Sequence, residues 1–189
     1  MRATFSLLAL LLAAPAAAQH PGPDDHKHEH KAHGEHGAKG HKHGDHATMH
    51  RRFDDVEWAK KHFEGPERAK WQKPRELVAA LKIAPGATVA DLGAGSGYFL
   101  PHLAEAVGPE GTVLALEVEP SLVAWLRERA EKEQLTQVVP VLSSFDRPRL
   151  PAEAVDLAIM VDVYHHIDGR KAWFAKALKT VRPGGRLVV

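Results

Sequence analysis

The chain has 189 residues, of which 44% are hydrophobic and 26% are charged, so its length favours one folded domain over a multidomain protein. Lys and Arg total 25 against 24 Asp and Glu, which gives no basic excess of the kind typical of nucleic-acid-binding proteins. Cysteine is absent, which excludes a disulfide framework, a thiolate zinc site and a cysteine nucleophile.

The first 18 residues have the pattern of a secretory signal peptide. Arg2 precedes an apolar run over residues 5–14, and Pro15 and three alanines follow it. The run is shorter than the ~20 residues that span a bilayer, and Ala16-x-Ala18 offers a cleavage site before Gln19. The pattern predicts export, to the periplasm if the source is Gram-negative or otherwise by secretion, with no membrane span after cleavage. An uncleaved N-terminal anchor is the alternative.

Residues 19–50 form a histidine-rich segment that contains ten of the fourteen histidines. The segment has too few large apolar side chains to offset its ordering entropy, so we expect it to be disordered. Because neutral imidazole ligates zinc, copper and nickel, the segment predicts adaptable metal binding. A solvated linker that becomes cationic as the pH falls through ~6.5 is the other interpretation. The most closely spaced candidate ligands are His26, His28, His30, His41 and His43.

A folded domain is predicted over residues 51–189, and it begins with a helix over 67–81 that is interrupted near Pro74. Residues 88–92 are a short apolar run that predicts the first strand, and residues 98–107 have helical periodicity. A glycine loop, Gly93-Ala94-Gly95-Ser96-Gly97, lies between them. Strand, glycine loop and helix are typical of the nucleotide-binding start of a doubly wound sheet, because glycine lets the backbone turn sharply and approach a ligand.

The second strand is predicted over residues 112–116 and ends at Glu117, with Glu119 two residues further on. An acidic residue about twenty positions after the glycine loop can accept hydrogen bonds from both ribose hydroxyls of a nucleoside, and we favour Glu117 over Glu119 for this role. Pro120 opens the next helix. A third strand over 138–142 contains Pro140, and we place it outermost because proline lacks the N–H that an inner strand needs.

A fourth strand is predicted over residues 154–162, apolar as expected when both faces are covered. A helix over 172–181, a turn at 182–185 and a fifth strand over 187–189 complete the pattern. His165 and His166 follow the fourth strand at its C-terminal end, the side on which doubly wound sheets bind ligands. Each is a candidate general base or a polar wall of a pocket, and a structural role in the loop is the alternative.

Four segments, in the expected order, resemble the class I S-adenosylmethionine-dependent methyltransferases. Residues 89–98 resemble their glycine signature, 115–120 their acidic second-strand segment, and 181–187 the turn into their fifth strand. Asp146, with Leu150-Pro151, resembles their adenine-side loop. The resemblance implies that S-adenosyl-L-methionine is the cofactor, with Glu117 at the ribose and Asp146 near the adenine amino group. It assigns the cofactor loop to Asp91, Gly93, Ala94, Gly95 and Gly97.

The resemblance also implies an α/β fold, a doubly wound, Rossmann-like, mostly parallel sheet in three α/β/α layers with strand order 3-2-1-4-5. The family's sheet has seven strands, whereas this sequence supplies five. An apolar fifth strand at an edge is an aggregation hazard, so we expect either that strands 6 and 7 have been lost by truncation or that a partner supplies them. The oligomeric state is left open.

The function that the resemblance implies is methyl transfer to an unidentified, small-molecule acceptor. Residues 163–167 resemble quinone-methylating enzymes, and the Asn/Asp-Pro-Pro-Tyr/Phe segment of amino-methylating nucleic-acid enzymes is replaced by Asp162-Val163-Tyr164-His165. His165 and His166 would then serve the acceptor. A second hypothesis is a periplasmic metal-binding protein with a non-catalytic methyltransferase-like scaffold. A nicotinamide-dependent oxidoreductase is disfavoured, because Tyr98 stands where its loop has glycine or alanine.

Overall fold

A computed structural model of the chain describes residues 55–189. The predicted signal peptide and histidine-rich segment, with the candidate metal ligands His26, His28, His30, His41 and His43, lie outside the described residues. Among residues 55–189, no helix has the length and apolar character required to cross a membrane.

Within residues 55–189, five strands form one parallel sheet at the centre of the domain. The sheet order is β3-β2-β1-β4-β5, which confirms the predicted order and places the proline-containing strand at an edge. An edge strand has only one neighbouring strand, so it can contain Pro140, which lacks a backbone N–H, without losing a hydrogen bond to a second strand. The strands are β1 (Thr88–Leu92), β2 (Thr112–Glu117), β3 (Val138–Leu142), β4 (Val155–Ile159) and β5 (Val181–Val188).

Helices precede and connect the strands. The predicted interruption near Pro74 is confirmed: Lys73 takes a left-handed conformation, with φ 46° and ψ 59°, and Pro74 opens the next helix. The first helix was not predicted, and Asp55 caps it by accepting a 3.0 Å hydrogen bond from the backbone N–H of Trp58. The helices are α1 (Val56–Phe63), α2 (Arg68–Gln72), α3 (Pro74–Ala80), α4 (Leu100–Val107), α5 (Pro120–Lys132) and α6 (Arg170–Leu178), with a 3-10 turn at Tyr164–His166.

Two apolar clusters cover the two faces of the sheet. Val89 belongs to the cluster that includes side chains from α3, α4 and α5, whereas its neighbour Ala90 belongs to the cluster that includes Trp173 and Ala177 of α6. Successive side chains of a strand point to opposite faces, so both faces of β1 are covered by helices. The predicted three-layer α/β/α fold is therefore confirmed.

Three segments near the C-terminus were predicted with wrong bounds. Strand β4 ends at Ile159, three positions before the predicted end at residue 162, and α6 spans Arg170–Leu178 instead of 172–181. Residues 182–185, predicted as a turn, lie within β5. The register explains the last error: Val155 pairs with Val181 and Leu157 with Arg186, so the intervening residues bulge out of the ladder while the strand continues.

Candidate active site

A crevice of about 350 Å³ lies at the C-terminal ends of β1, β2 and β4. The strand order reverses between β1 and β4. The helix after β1 packs in one apolar cluster and the helix after β4 in the other, so the two connections lie on opposite faces of the sheet. Open parallel sheets bind ligands at such a point, outside the carboxyl ends of the strands. The crevice has the size of a small-molecule site.

The glycine loop forms the floor of the crevice. The backbone N–H groups of Gly93 and Ala94 donate to the carbonyl of Leu116, at 3.0 and 2.9 Å, and hold the loop against β2. Gly93 has φ 84°, and a Cβ at this position would lie 2.6 Å from a methyl carbon of Val163. Both the backbone conformation and the packing therefore require glycine.

Glu117, at the end of β2, is a buried carboxylate that is fixed by backbone donors. Its Oε2 accepts a 2.9 Å hydrogen bond from the N–H of Gly95, and its Oε1 accepts hydrogen bonds from Val118 and Glu119, at 2.6 and 3.3 Å. Burial raises the pKa of Glu117, and these backbone hydrogen bonds partly oppose the rise. The structure thus joins Glu117 and the glycine loop directly, while Glu119 also lines the crevice but is less buried.

Asp91, the last polar residue of β1, is only 3% exposed and lines the crevice. Burial raises its pKa to about 7, the charge of Glu117 adds to the rise, and the charge of Arg68 opposes it. No side chain within residues 55–189 forms an ion pair with Asp91. A cationic group in the crevice would favour its ionised form.

Arg68, in α2, also lines the crevice and was missed by the sequence analysis. Its guanidinium lies 4.4 Å from the centre of the Tyr98 ring, and its Nη1 donates a 2.6 Å hydrogen bond to the carbonyl of Phe63. Its Nε is buried without a hydrogen-bond partner in the described structure. No local signal marked Arg68 as a binding residue, because it precedes every segment of the resemblance. The sequence placed it only within the helix predicted over residues 67–81.

Helix α1 covers the glycine loop and adds Trp58 and Phe63 to the crevice wall. The carboxylate of Glu64, just after α1, lies 2.6 Å from Arg129 Nη1 of α5, and the same nitrogen donates to the carbonyl of Ser96 at 2.9 Å. These contacts connect the start of the described chain, the glycine loop and α5. The crevice is therefore built partly by residues outside the strand and loop motifs.

His165 and His166 both line the crevice from the 3-10 turn after β4. Their ring centres are 3.9 Å apart, and His165 Nδ1 lies 4.0 Å from a carboxylate oxygen of Asp162. Burial, followed by the charge of His165, lowers the pKa of His166. A neutral imidazole is the form that accepts a proton, so His166 has the protonation state of a general base near neutral pH.

Asp146 lies beside the crevice, on an exposed loop. Its Oδ1 accepts a 2.8 Å hydrogen bond from Ser144 Oγ, and its Oδ2 lies 3.2 Å from Lys176 Nζ. These two partners hold the pKa of Asp146 below its usual value. In the part of the chain that the structure describes, the crevice wall on this side comes from Ser143, Ser144, Phe145 and Pro148, and its lining does not include Asp146.

Metal ligation has no counterpart in the described region. Within residues 55–189, the structure contains no group of three His, Asp or Glu side chains that could hold a metal ion. The histidines that were predicted to bind metal all precede this region.

A sequence model of the methyltransferase domain family matches residues 89–185, about half of the chain. The chain is 30% identical over 111 residues to an arsenite methyltransferase of Halobacterium salinarum, covering 59% of this chain and 28% of that protein. It is 37% identical over 116 residues to a protein-L-isoaspartate O-methyltransferase of Aeropyrum pernix, covering 60% of this chain and 42% of that protein. The chain thus spans less than half the length of these curated relatives.

The fold is also similar to solved structures. A S-adenosylmethionine-dependent methyltransferase of Aquifex aeolicus has a TM-score of 0.66 and 27% sequence identity, and the match covers 71% of each chain. Three findings indicate the same family: the shared sheet, the glycine loop with its acidic partner, and the family match. This chain therefore belongs to the S-adenosylmethionine-dependent methyltransferase family.

Proposed function

We propose that this domain binds S-adenosyl-L-methionine and transfers its methyl group to a small-molecule acceptor. The observation that carries the proposal is the buried Glu117 carboxylate, hydrogen-bonded to Gly95 at the open ends of β1 and β2. An acidic residue at the end of the second strand is placed to accept hydrogen bonds from ribose hydroxyls. Gly93 and Gly97, both with positive φ, allow the loop to turn closely beneath a nucleoside.

The charged side chains of the crevice suit a cofactor that carries both signs of charge. Asp91 offers a buried carboxyl for a cationic group, and Arg68 offers a guanidinium. When bound, the cofactor would supply a methyl group on a positively charged sulfur. The residues of this chain fit such a cofactor, because the crevice contains both the glycine loop, which is typical of nucleoside-binding sites, and the buried carboxyl of Asp91.

Methyl transfer in this site would depend mainly on alignment and on exclusion of water. Trp58, Phe63, Leu122 and Trp173 contribute apolar walls to the crevice. An acceptor that must lose a proton could transfer it to His166, whose pKa is lowered by burial. His165 would serve as a polar wall or as the partner that keeps His166 neutral.

The small-molecule acceptor is supported by helix α1, which contributes Trp58 and Phe63 to the wall of the crevice and so covers part of it. The relatives include an arsenite, a protein-L-isoaspartate and an rRNA methyltransferase, so they do not define one acceptor class. Export, and with it a periplasmic location, is a separate proposal that depends on the first 18 residues. No observation on residues 55–189 favours the metal-binding scaffold hypothesis.

Calorimetric titration of the full chain with S-adenosylmethionine and with S-adenosylhomocysteine tests the proposal. We expect micromolar binding that Glu117→Gln weakens and that Glu110→Gln leaves unchanged, because Glu110 is exposed in the turn after α4. Folding of each variant is checked by thermal unfolding. A folded wild-type chain that binds neither nucleoside would overturn the proposed function.

A further inference from the structure

Among the described residues that line the crevice, Arg68 is the one lysine or arginine. A guanidinium carries five N–H donors. Nη1 donates to the carbonyl of Phe63 at 2.6 Å, Nη2 makes a long 3.5 Å contact with Gln72, and Nε is buried without a partner. The guanidinium therefore keeps unused donor capacity inside the crevice.

No carboxylate of residues 55–189 forms an ion pair with Arg68. Desolvation acts against its charge, and Asp162, Glu64 and Asp91 favour the charge only from a distance. Partly buried charges are costly unless a partner is in contact. A bound anion would provide that partner, and a carboxylate matches the planar fork of a guanidinium.

The position of Arg68 narrows the choice of anion. Asp91, at the end of β1, and Asp162, after β4, both favour the charged form of Arg68. Tyr98, on which the guanidinium stacks, directly follows the glycine loop. The crevice thus holds a buried carboxyl and a guanidinium near each other, on the side of the loop where β1 ends. This pair suits an amino-acid zwitterion, because its ammonium group can meet the carboxyl and its carboxylate can meet the guanidinium.

We propose that Arg68 binds the α-carboxylate of the amino-acid tail of S-adenosylmethionine, beside an Asp91 carboxylate that receives the tail's ammonium group. The inference rests on the proposed function and adds a binding residue from α2, outside the strand and loop motifs. An anionic group on the methyl acceptor is the other source of the same chemistry, and the experiment separates the two.

The test compares two ligands of the full chain by calorimetry, without acceptor. S-adenosylhomocysteine carries the amino-acid tail, whereas 5′-methylthioadenosine lacks it. We expect Arg68→Gln to weaken S-adenosylhomocysteine binding by about 10- to 100-fold, the range for a charge-assisted hydrogen-bonded pair, and to change methylthioadenosine binding by less than about threefold. Arg68→Lys, which keeps the charge but loses the fork, should give a smaller loss with the same ligand selectivity.

Arg170→Gln is the matched control. Arg170 also stacks on a tyrosine, at 4.7 Å from the Tyr164 ring centre, and also donates to a backbone carbonyl, at 3.3 Å, but it does not line the crevice. We expect this variant to bind both ligands like the wild type.

Equal losses for the two ligands in Arg68→Gln would overturn the inference, because they would mean that Arg68 only shapes the crevice. Unchanged affinity for both would also overturn it and would leave the acceptor as the source of the anion. If Arg68→Gln does not fold, the selectivity of Arg68→Lys decides in the same way. A wild-type chain that binds neither ligand would instead overturn the proposed function itself.

Discussion

Asp91 should make cofactor binding dependent on pH, if it contacts the cofactor as proposed. In the ligand-free structure its carboxyl is buried and has a pKa of about 7. A bound ammonium or sulfonium group would stabilise the carboxylate and lower this pKa, so binding near neutral pH releases a proton. With a pKa of about 7, roughly nine in ten ligand-free molecules carry the proton at pH 6 and about one in ten at pH 8. The affinity should therefore fall by about tenfold from pH 8 to pH 6.

Calorimetry of S-adenosylhomocysteine binding at pH 6, 7 and 8, in two buffers of different ionisation enthalpy, measures both the affinity and the number of protons released. We expect release of about 0.9 proton per ligand at pH 6, and Asp91→Asn should bind more weakly at pH 8 with a nearly flat profile. His166→Ala is the control that should keep the wild-type slope, because the expected pH dependence is assigned to Asp91. A flat wild-type profile, or an unchanged slope in Asp91→Asn, would refute the reasoning.

The same carboxyl should destabilise the ligand-free protein at higher pH. Because the pKa of Asp91 is raised from 3.8 to about 7 on folding, its contribution to stability is fully present below pH 3.8 and is lost as the pH rises through 7. The difference between the two pKa values corresponds to an upper limit of about 4 kcal/mol. In urea denaturation, Asp91→Asn should be more stable than the wild type at pH 8, and the gain should shrink toward pH 4.

Three further predictions concern the loop, the β2 carboxylate and the histidines. Glu117→Gln should weaken S-adenosylhomocysteine binding at least tenfold in calorimetry, because it replaces a charged acceptor with a neutral one, and unchanged affinity would contradict the ribose role. His165→Ala and His166→Ala should each leave that affinity within about threefold, since they are assigned to the acceptor, and a complete loss would assign the residue to the cofactor site. Gly97→Ala should lower the free energy of unfolding by about 2 kcal/mol or more, because φ is 91° and the new Cβ would lie 2.8 Å from a leucine methyl carbon of α5. Gly86→Ala, with φ 80° and no atom within 4 Å of the new Cβ, is the control and should cost less in the same urea titration.

Local sequence patterns were sufficient for the sheet and for the floor of the site. The apolar run of β1, the glycine loop and the spacing to Glu117 depend on neighbouring residues, so they could be recognised without a structure. Pro140 alone predicted that β3 is an edge strand, because an inner strand needs every backbone N–H. The part of β5 over residues 182–185 was mistaken for a turn, because a bulge is defined by pairing with another strand.

The sequence by itself determined that a parallel sheet ends in a loop suited to a nucleoside, because backbone conformation and hydrophobic periodicity are local properties. Only the tertiary structure decided which charges meet in the crevice. Arg129 contacts Glu64, which lies 65 positions earlier in the sequence. This contact helps to fix the helices whose residues Phe63 and Arg68 line the crevice. The raised pKa of Asp91 likewise arises from burial by residues distant in the chain, which no local pattern records.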